Sequence, residues 1–242
     1  MTAKTVVLVT AGCGLSAPYH VFLASRDLEK GQAVAESFTD IPHGNSVSAL
    51  KLDVTSASSI AEAAAAVEAE TGRIDVLVNN AGIMSTATDE LARLRETLEM
   101  NTIAPFAVTN AFKPLLLKQP PKGPKKGKRI IHVSSGLGSI AERRDPQSRY
   151  YPVDNVEYRM SKSALNMLAA CNQWELRDHD VQVFALCPGF VATHLSRTPV
   201  ERLSMGARDP ALSGQACREV IEGKRDGEIN GMPTLDNETF AW

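Results

Sequence analysis

The chain has 242 residues, enough for one sizeable hydrophobic core, and a single domain over 1–242 is expected. A formal net charge of −2 gives no electrostatic case for nucleic acid or an anionic membrane, so a small-molecule partner is expected. No apolar leader or stretch of about 18 apolar residues is present, and the four scattered cysteines form no C-x-x-C pair and have no histidine at ligand spacing. The expectation is a cytoplasmic protein with no membrane span, no metal site and reduced, mostly buried thiols.

In chain order, Val6 to Val9 and Val21 to Ala24 are short β-branched or apolar runs suited to buried strands. Asp27 to Phe38 reads as a helix capped by Asp27, with Leu28, Ala33, Val34 and Phe38 among its apolar positions. Val47 to Leu52 is a third strand, followed by Asp53-Val54-Thr55. Ser56 to Thr71 is an alanine-rich helix ended by Gly72. Ile74 to Val78 is a fourth strand, closed by Asn79-Asn80-Ala81-Gly82. This alternation predicts an α/β fold with parallel strands joined by helical crossovers.

Asp89 to Lys118 reads as mostly helical, with Asn101 in its middle and Pro105 as a kink or break. Residues 119–128, rich in Pro, Gly and Lys, read as a solvated connector rather than a phosphate-binding patch, because no aromatics are interleaved. Arg129 to Val133 is a fifth strand ending in Ser134-Ser135-Gly136. Residues 140–157 read as a polar loop, Val181 to Leu186 as a sixth strand ending at Cys187-Pro188-Gly189, Gly214 to Glu222 as a late helix and Gly227 to Pro233 as a last strand. The polar motifs fall at carboxyl ends of strands or on the helix beyond, where open α/β sheets bind ligands.

Tyr158-Arg159-Met160-Ser161-Lys162 opens a helix running to about Arg177, with Ala164, Leu165, Leu168 and Ala169 as its apolar stripe. Residues four apart share a helical face, so a phenol and an ammonium are neighbours there. A fixed cation favours the phenolate, which makes the pair a candidate proton carrier. A bare Y-x-x-x-K is also the sequence of a surface tyrosine and a snorkelling lysine, so its context has to decide.

Together, Asn79-Asn80-Ala81-Gly82, Asn101, Ser134-Ser135, Tyr158-x-x-x-Lys162 and Pro188-Gly189, in that order, resemble the short-chain dehydrogenase/reductase family over nearly the whole chain. The ending Gly227-Glu228-Ile229-Asn230-Gly231 with Trp242 looks like its carbonyl-reductase side. The resemblance implies a Rossmann-like doubly wound sheet and a hydride transfer between a nicotinamide cofactor and a small carbonyl or alcohol substrate. In that setting Tyr158 is the general acid/base, Ser135 hydrogen-bonds the carbonyl oxygen, Lys162 lowers the Tyr158 pKa and reaches the nicotinamide ribose, and Asn101 holds a water that relays protons to Lys162. The alternative for Ser134 and Ser135 is a strand-end bond to backbone. Asp53 and Val54 resemble the adenine contact, Asn80 a ribose contact, and Val191 and Thr193 the segment near the carboxamide.

Arg26, with no acid at the end of the second strand, favours NADPH, since an arginine accommodates a 2′-phosphate; Asp27 keeps NAD open. The separation of Ser135 from Tyr158 is longer than usual in the family, so Arg143 to Val156 looks like an insertion beside the substrate cleft, and oligomeric state is left open. Leu137, Gly138, Phe190, His194 and Leu195 are candidate pocket lining for an apolar ketone or aldehyde in specialised metabolism.

One segment departs from the family pattern. Its first turn, T-G-x-x-x-G-x-G, reads here Thr10-Ala11-Gly12-Cys13-Gly14-Leu15-Ser16-Ala17-Pro18, and Ala11 to His20 is short for a helical crossover. The first crossover helix is therefore expected to be missing, with part of a sheet face exposed and cofactor affinity reduced to what an anion nest at Gly12, Cys13 and Gly14 retains. A non-catalytic, cofactor-deficient binding or scaffold protein is the alternative function. A nucleic-acid binder resting on Lys122 to Arg129 is a third and weaker one.

Overall fold

In the computed structural model, which describes residues 4–9, 19–39, 41, 44–118, 127–195 and 197–242, the apolar runs become parallel strands covered on both faces. They are β1 (Thr5–Val9), β2 (Tyr19–Ser25), β3 (Ser46–Lys51), β4 (Val76–Asn79), β5 (Lys128–Val133) and β6 (Val181–Leu186), in the order β3-β2-β1-β4-β5-β6. The helices are α1 (Leu28–Ser37), α2 (Ala57–Thr71), α3 (Glu90–Leu98), α4 (Ala104–Leu117), α5 (Ile140–Arg144), α6 (Val156–Leu176), α7 (Pro199–Ser204) and α8 (Pro210–Ile221). The result is a Rossmann-like sheet whose order reverses between β1 and β4, the switch point at which such sheets open a ligand crevice.

Side-chain alternation along each strand feeds two cores. Val6, Leu8, Phe22, Leu77 and Ile130 point to one face, against Ile60 of α2, Val108, Phe112 and Leu116 of α4, and Ala169 and Leu176 of α6. Val7, Val9, Val21, Val76, Val78 and Phe184 point to the other, with Ala216, Cys217, Val220 and Ile221 of α8. The expected exposure of that second face is not found: Val7 and Val9 are 0% exposed.

Exposed apolar surface is found on α1, as on several other helices. The close contact of α1 with the sheet is at Gly31, where a β-carbon would stand 3.0 Å from Ser25 Cβ, and Leu28, Val34 and Phe38 face solvent. The apolar positions of α1 stay outside the core because a small residue lets this short helix approach the sheet closely.

β1 pairs with β2 directly, Thr5 opposite Tyr19 and Val9 opposite Leu23. The connecting residues 10–18, which hold the departing turn and the candidate nest, lie outside the described residues. Returning along β1 and across to β2 requires about 14 Å, and nine extended residues reach about 30 Å, so the pairing is compatible with so short a link.

Local signals fared well where the chemistry is local. The Asp27 carboxylate accepts from Lys30 N–H (3.2 Å), Ser56 caps α2, and Gly72 ends α2 at φ 71°. Pro105 does not break its helix. The π-turn Glu99–Ile103 precedes it and accommodates the missing N–H at the start of α4. Part of the expected loop 140–157 is the helix α5, capped by Ser139 (3.1 Å to Glu142 N–H). The expected strand at 227–233 is a 3-10 turn (Asp226–Glu228) followed by β7 (Met232–Pro233), which pairs antiparallel with β8 (Thr239–Phe240). Cys187 and Cys217 are buried, but Cys171 on α6 is exposed. No helix among the described residues is long and apolar enough to cross a membrane.

The connector at 119–126 also lies outside the described residues. The two cations that follow it turn inward. Lys128 Nζ bonds the Leu116 and Lys118 carbonyls, and Arg129 pairs with Asp226 (2.6 Å), which removes both from any basic patch.

Candidate active site

α6 presents Tyr158 and Lys162 one turn apart, both buried, at the carboxyl edge of the sheet. Lys162 Nζ donates to the Val133 carbonyl at the end of β5 (2.8 Å) and lies 5.6 Å from the centroid of the Tyr158 ring. Ser135, just past β5, lines both cavities beside Tyr158 and pulls its phenol down, and its oxygen accepts from Leu137 N–H (3.2 Å). Its neighbour Ser134 is tied into the structure, chiefly through a side chain rather than the backbone: its hydroxyl donates to Asn166 Oδ1 and its N–H to Leu186 O (2.7 Å).

Asn101 lies in the π-turn, fully buried. Its Nδ2 donates to Ile83 O (2.9 Å) and Ser161 Oγ (3.0 Å), and its Oδ1 accepts from Ile83 N–H (2.8 Å). The side chain thus ties the segment after β4 to the Tyr158 helix. A β-carbon on Gly82 would stand 3.1 Å from Asn101 Oδ1 and 3.6 Å from Lys162 Nζ, so a glycine keeps the space between them open.

Burial sets the proton chemistry. It pushes the Tyr158 phenol well above its ordinary value, with Cys187 adding to the rise and the neighbouring Ser135 and Arg202 pulling down. Lys162 is not among the groups that pull the phenol down, and burial outweighs those that do. Lys162 itself is drawn down to about 8 by the same burial.

The helix comes this close to the strand end because Gly138, in the turn Gly136–Gly138, has no side chain. A β-carbon there would lie 2.7 Å from Lys162 C and Cβ. Gly138→Ala is expected to cost about 1–3 kcal/mol of stability through overpacking. Urea unfolding measures it, and an unchanged midpoint would contradict the close contact. Of the two uses open to Gly138, pocket lining or packing, the structure shows packing.

Two cavities meet at Tyr158. The first, about 550 Å³, opens across the carboxyl ends of the strands, with Val9, Ala24, Val78, Val133 and Leu186 in its floor. Arg26, Asn80, Val191, Thr193 and His194 line it. Leu52 and Val54 also line it, whereas the Asp53 carboxylate is engaged by Thr55 N–H (2.9 Å) and Thr55 Oγ1 (2.7 Å). The residues present fit a dinucleotide: an arginine and an apolar slot at one end, the open space at Gly82 toward the other. The second cavity, about 830 Å³, shares Ser135, Tyr158, Gly189, Leu195 and Arg202 with the first and is walled by Leu137, Tyr150, Val153 and Phe190 among others.

The sequence profile of the short chain dehydrogenase family matches residues 8–203. The chain belongs to that family. Its members are oxidoreductases that use a nicotinamide cofactor. The short-chain dehydrogenase/reductase eupG of Phoma sp is 33% identical over 235 residues, covering 86% of this chain and 82% of the relative. The short-chain dehydrogenase/reductase tropE of Talaromyces stipitatus is 31% identical over 275 aligned positions, covering 98% of each. The crystal structure of NADPH-bound carbonyl reductase from chicken fatty liver superposes with a TM-score of 0.79 at 26% identity, covering 100% of both chains.

Sequence reading of this short-chain dehydrogenase placed Arg143 to Val156 beside the cleft without singling out its residues, and it missed the roles of Cys187 and Arg202. Tyr150 and Arg149 belong to the long segment after α5, which Arg159 pins through the Val153 (2.8 Å) and Tyr150 carbonyls. Cys187, read only as part of a strand-end turn, lines the second cavity and accepts from Gly136 N–H (3.1 Å). Arg202 comes from α7, a helix whose signal was present: Thr198-Pro199-Val200-Glu201 is a capping box with proline at the first turn, and both its bonds form.

Proposed function

We propose that this chain is an NADPH-dependent reductase interconverting a ketone or aldehyde and its alcohol, with Tyr158 as the general acid/base. The observation that carries this reading is that Ser135 and Tyr158 both line the seam of the two cavities, with Lys162 one helical turn from Tyr158. A bound nicotinamide supplies or accepts the hydride. In reduction, Tyr158, kept protonated by burial, gives its proton to the substrate oxygen, and Ser135 donates a hydrogen bond where negative charge develops. Lys162 serves the ribose and the local positive charge. Asn101 acts as a positioning residue, and the space at Gly82 is where its Oδ1 and Lys162 Nζ would share a water. Asn80, Asp53 with Val54, and Val191 with Thr193 hold the ribose, adenine and carboxamide in this reading.

Arg26, at the end of β2, is the group for a 2′-phosphate. Calorimetric titration should find NADPH bound more tightly than NADH. Arg26→Ala should remove about 10–100-fold of NADPH affinity, the worth of a charge-assisted hydrogen bond, and leave NADH nearly unchanged. The nine-residue link between β1 and β2 is what favours the alternative, a cofactor-deficient binding or scaffold protein. Failure of the folded protein to bind either nucleotide would establish that alternative and end the reductase reading.

A further inference from the structure

The second cavity is positively charged. Among its described lining residues are four arginines, Arg149, Arg197, Arg202 and Arg208, and one carboxylate, Asp236. Asp236 pairs with Arg208 (2.7 Å) and Arg149 (3.3 Å), and Arg149 also meets Glu238 (3.1 Å) just outside the lining. Even with Glu238 counted, arginines outnumber carboxylates by two. Such a field favours an anionic ligand and disfavours a cationic one.

Arg202 is the arginine nearest the chemistry. It lines both cavities, as Tyr158 does, and is only 7% exposed. Its Nε donates to Val191 O (2.9 Å), and its guanidinium stacks 4.7 Å from the centroid of the Phe190 ring. Those contacts fix the plane of the guanidinium, a pre-set fork of the kind that matches a carboxylate. The charge is close enough to Tyr158 to pull its phenol down. A buried cation costs desolvation, which an anionic ligand offsets.

Resting on the reductase reading above, we propose that the substrate carries a carboxylate near its carbonyl group and that Arg202 binds it, with Arg197 at the exposed side of the cavity. Arg202 is thus a specificity-determining residue. The apolar and aromatic walls, Leu137, Tyr150, Val153 and Phe190, take the rest of an acid whose body is aromatic or aliphatic.

The test uses two matched probe pairs, phenylglyoxylate with its methyl ester and 4-formylbenzoate with its methyl ester. Binding to the NADPH-saturated protein is measured by calorimetry and reduction by NADPH oxidation. In at least one pair the acid should bind, and be reduced in kcat/KM terms, about 10–100-fold better than its ester, as a charge-assisted bond predicts. The acid-to-ester ratio should fall to within about threefold in Arg202→Gln and to an intermediate value in Arg202→Lys, which keeps the charge without the fork. If Arg202→Gln does not fold, Arg197→Ala, at an exposed position, should lower the ratio by about threefold. Equal handling of acid and ester in both pairs, or a preference that survives these substitutions, overturns the proposal. Reduction of the esters alone overturns it while leaving the reductase reading intact; acid-selective binding without turnover of any probe supports the anion site and sinks the reductase reading.

Discussion

Tyr158→Phe should lower kcat for NADPH-dependent reduction by about 10²–10⁴-fold, the usual contribution of a positioned general acid. The substitution removes one oxygen from a buried side chain and leaves the ring against Lys162 Nζ at 5.6 Å. Cofactor affinity should change little, which separates lost chemistry from lost folding. The companion readout is pH. Lys162 titrates at about 8, so its positive charge beside the site disappears as pH rises through that value, and kcat/KM for reduction should decline there. Full turnover by Tyr158→Phe on a substrate the parent reduces would eliminate Tyr158 as the proton donor.

The second large effect is on stability in acid. His132, on β5 and 0% exposed, lies between Asn79 and Asn172. Asn172 Oδ1 can only accept from the ring (3.2 Å), and Asn79 Nδ2 can only donate to it (3.3 Å) while also donating to Thr109 Oγ1 (3.0 Å). One neutral tautomer satisfies both partners, and a second ring proton would face an N–H. Burial, aided by the charge of Lys162, accordingly lowers His132 to about 4.

Unfolded, the ring titrates near 6.5. Between about 6.5 and 4 the unfolded chain therefore binds more protons than the folded one, and stability is lost as pH falls through that window. The loss should approach about 3 kcal/mol. Urea unfolding of the parent and of His132→Gln from pH 7.5 to 4.5 isolates it, since carboxylates titrate in both proteins. A parent with the same pH slope as the variant would mean that His132 is accessible to protons in the folded state.

These two residues differ in how far the sequence reveals them. Tyr158 and Lys162 are legible because their relation is local: residues four apart on a helix must share a face. The same holds for Asp27 and Gly72, whose effects are exerted within one turn, and for the β-branched runs, which are strands wherever both faces are covered. Order of motifs along the chain placed Ser135, Asn101 and the Pro188-Gly189 turn near the same edge of the sheet, and the fold puts Ser135 and Asn101 in contact with Tyr158 or its helix.

The sequence by itself determined the α/β class, most elements and the Tyr158–Lys162 pair, because periodicity, capping and strand-end position are properties of neighbouring residues. Tertiary structure decided what surrounds those groups. The direction of the Tyr158 shift came from burial rather than from Lys162, a balance set by every element packed over α6. Gly31 rather than Leu28 or Val34 meets the sheet, since contact depends on the orientation of α1 over β2 and β3. Asn79, His132 and Asn172 meet across β4, β5 and α6, and Arg202 reaches Tyr158 from 44 positions along the chain, separations at which only the packed sheet brings side chains together.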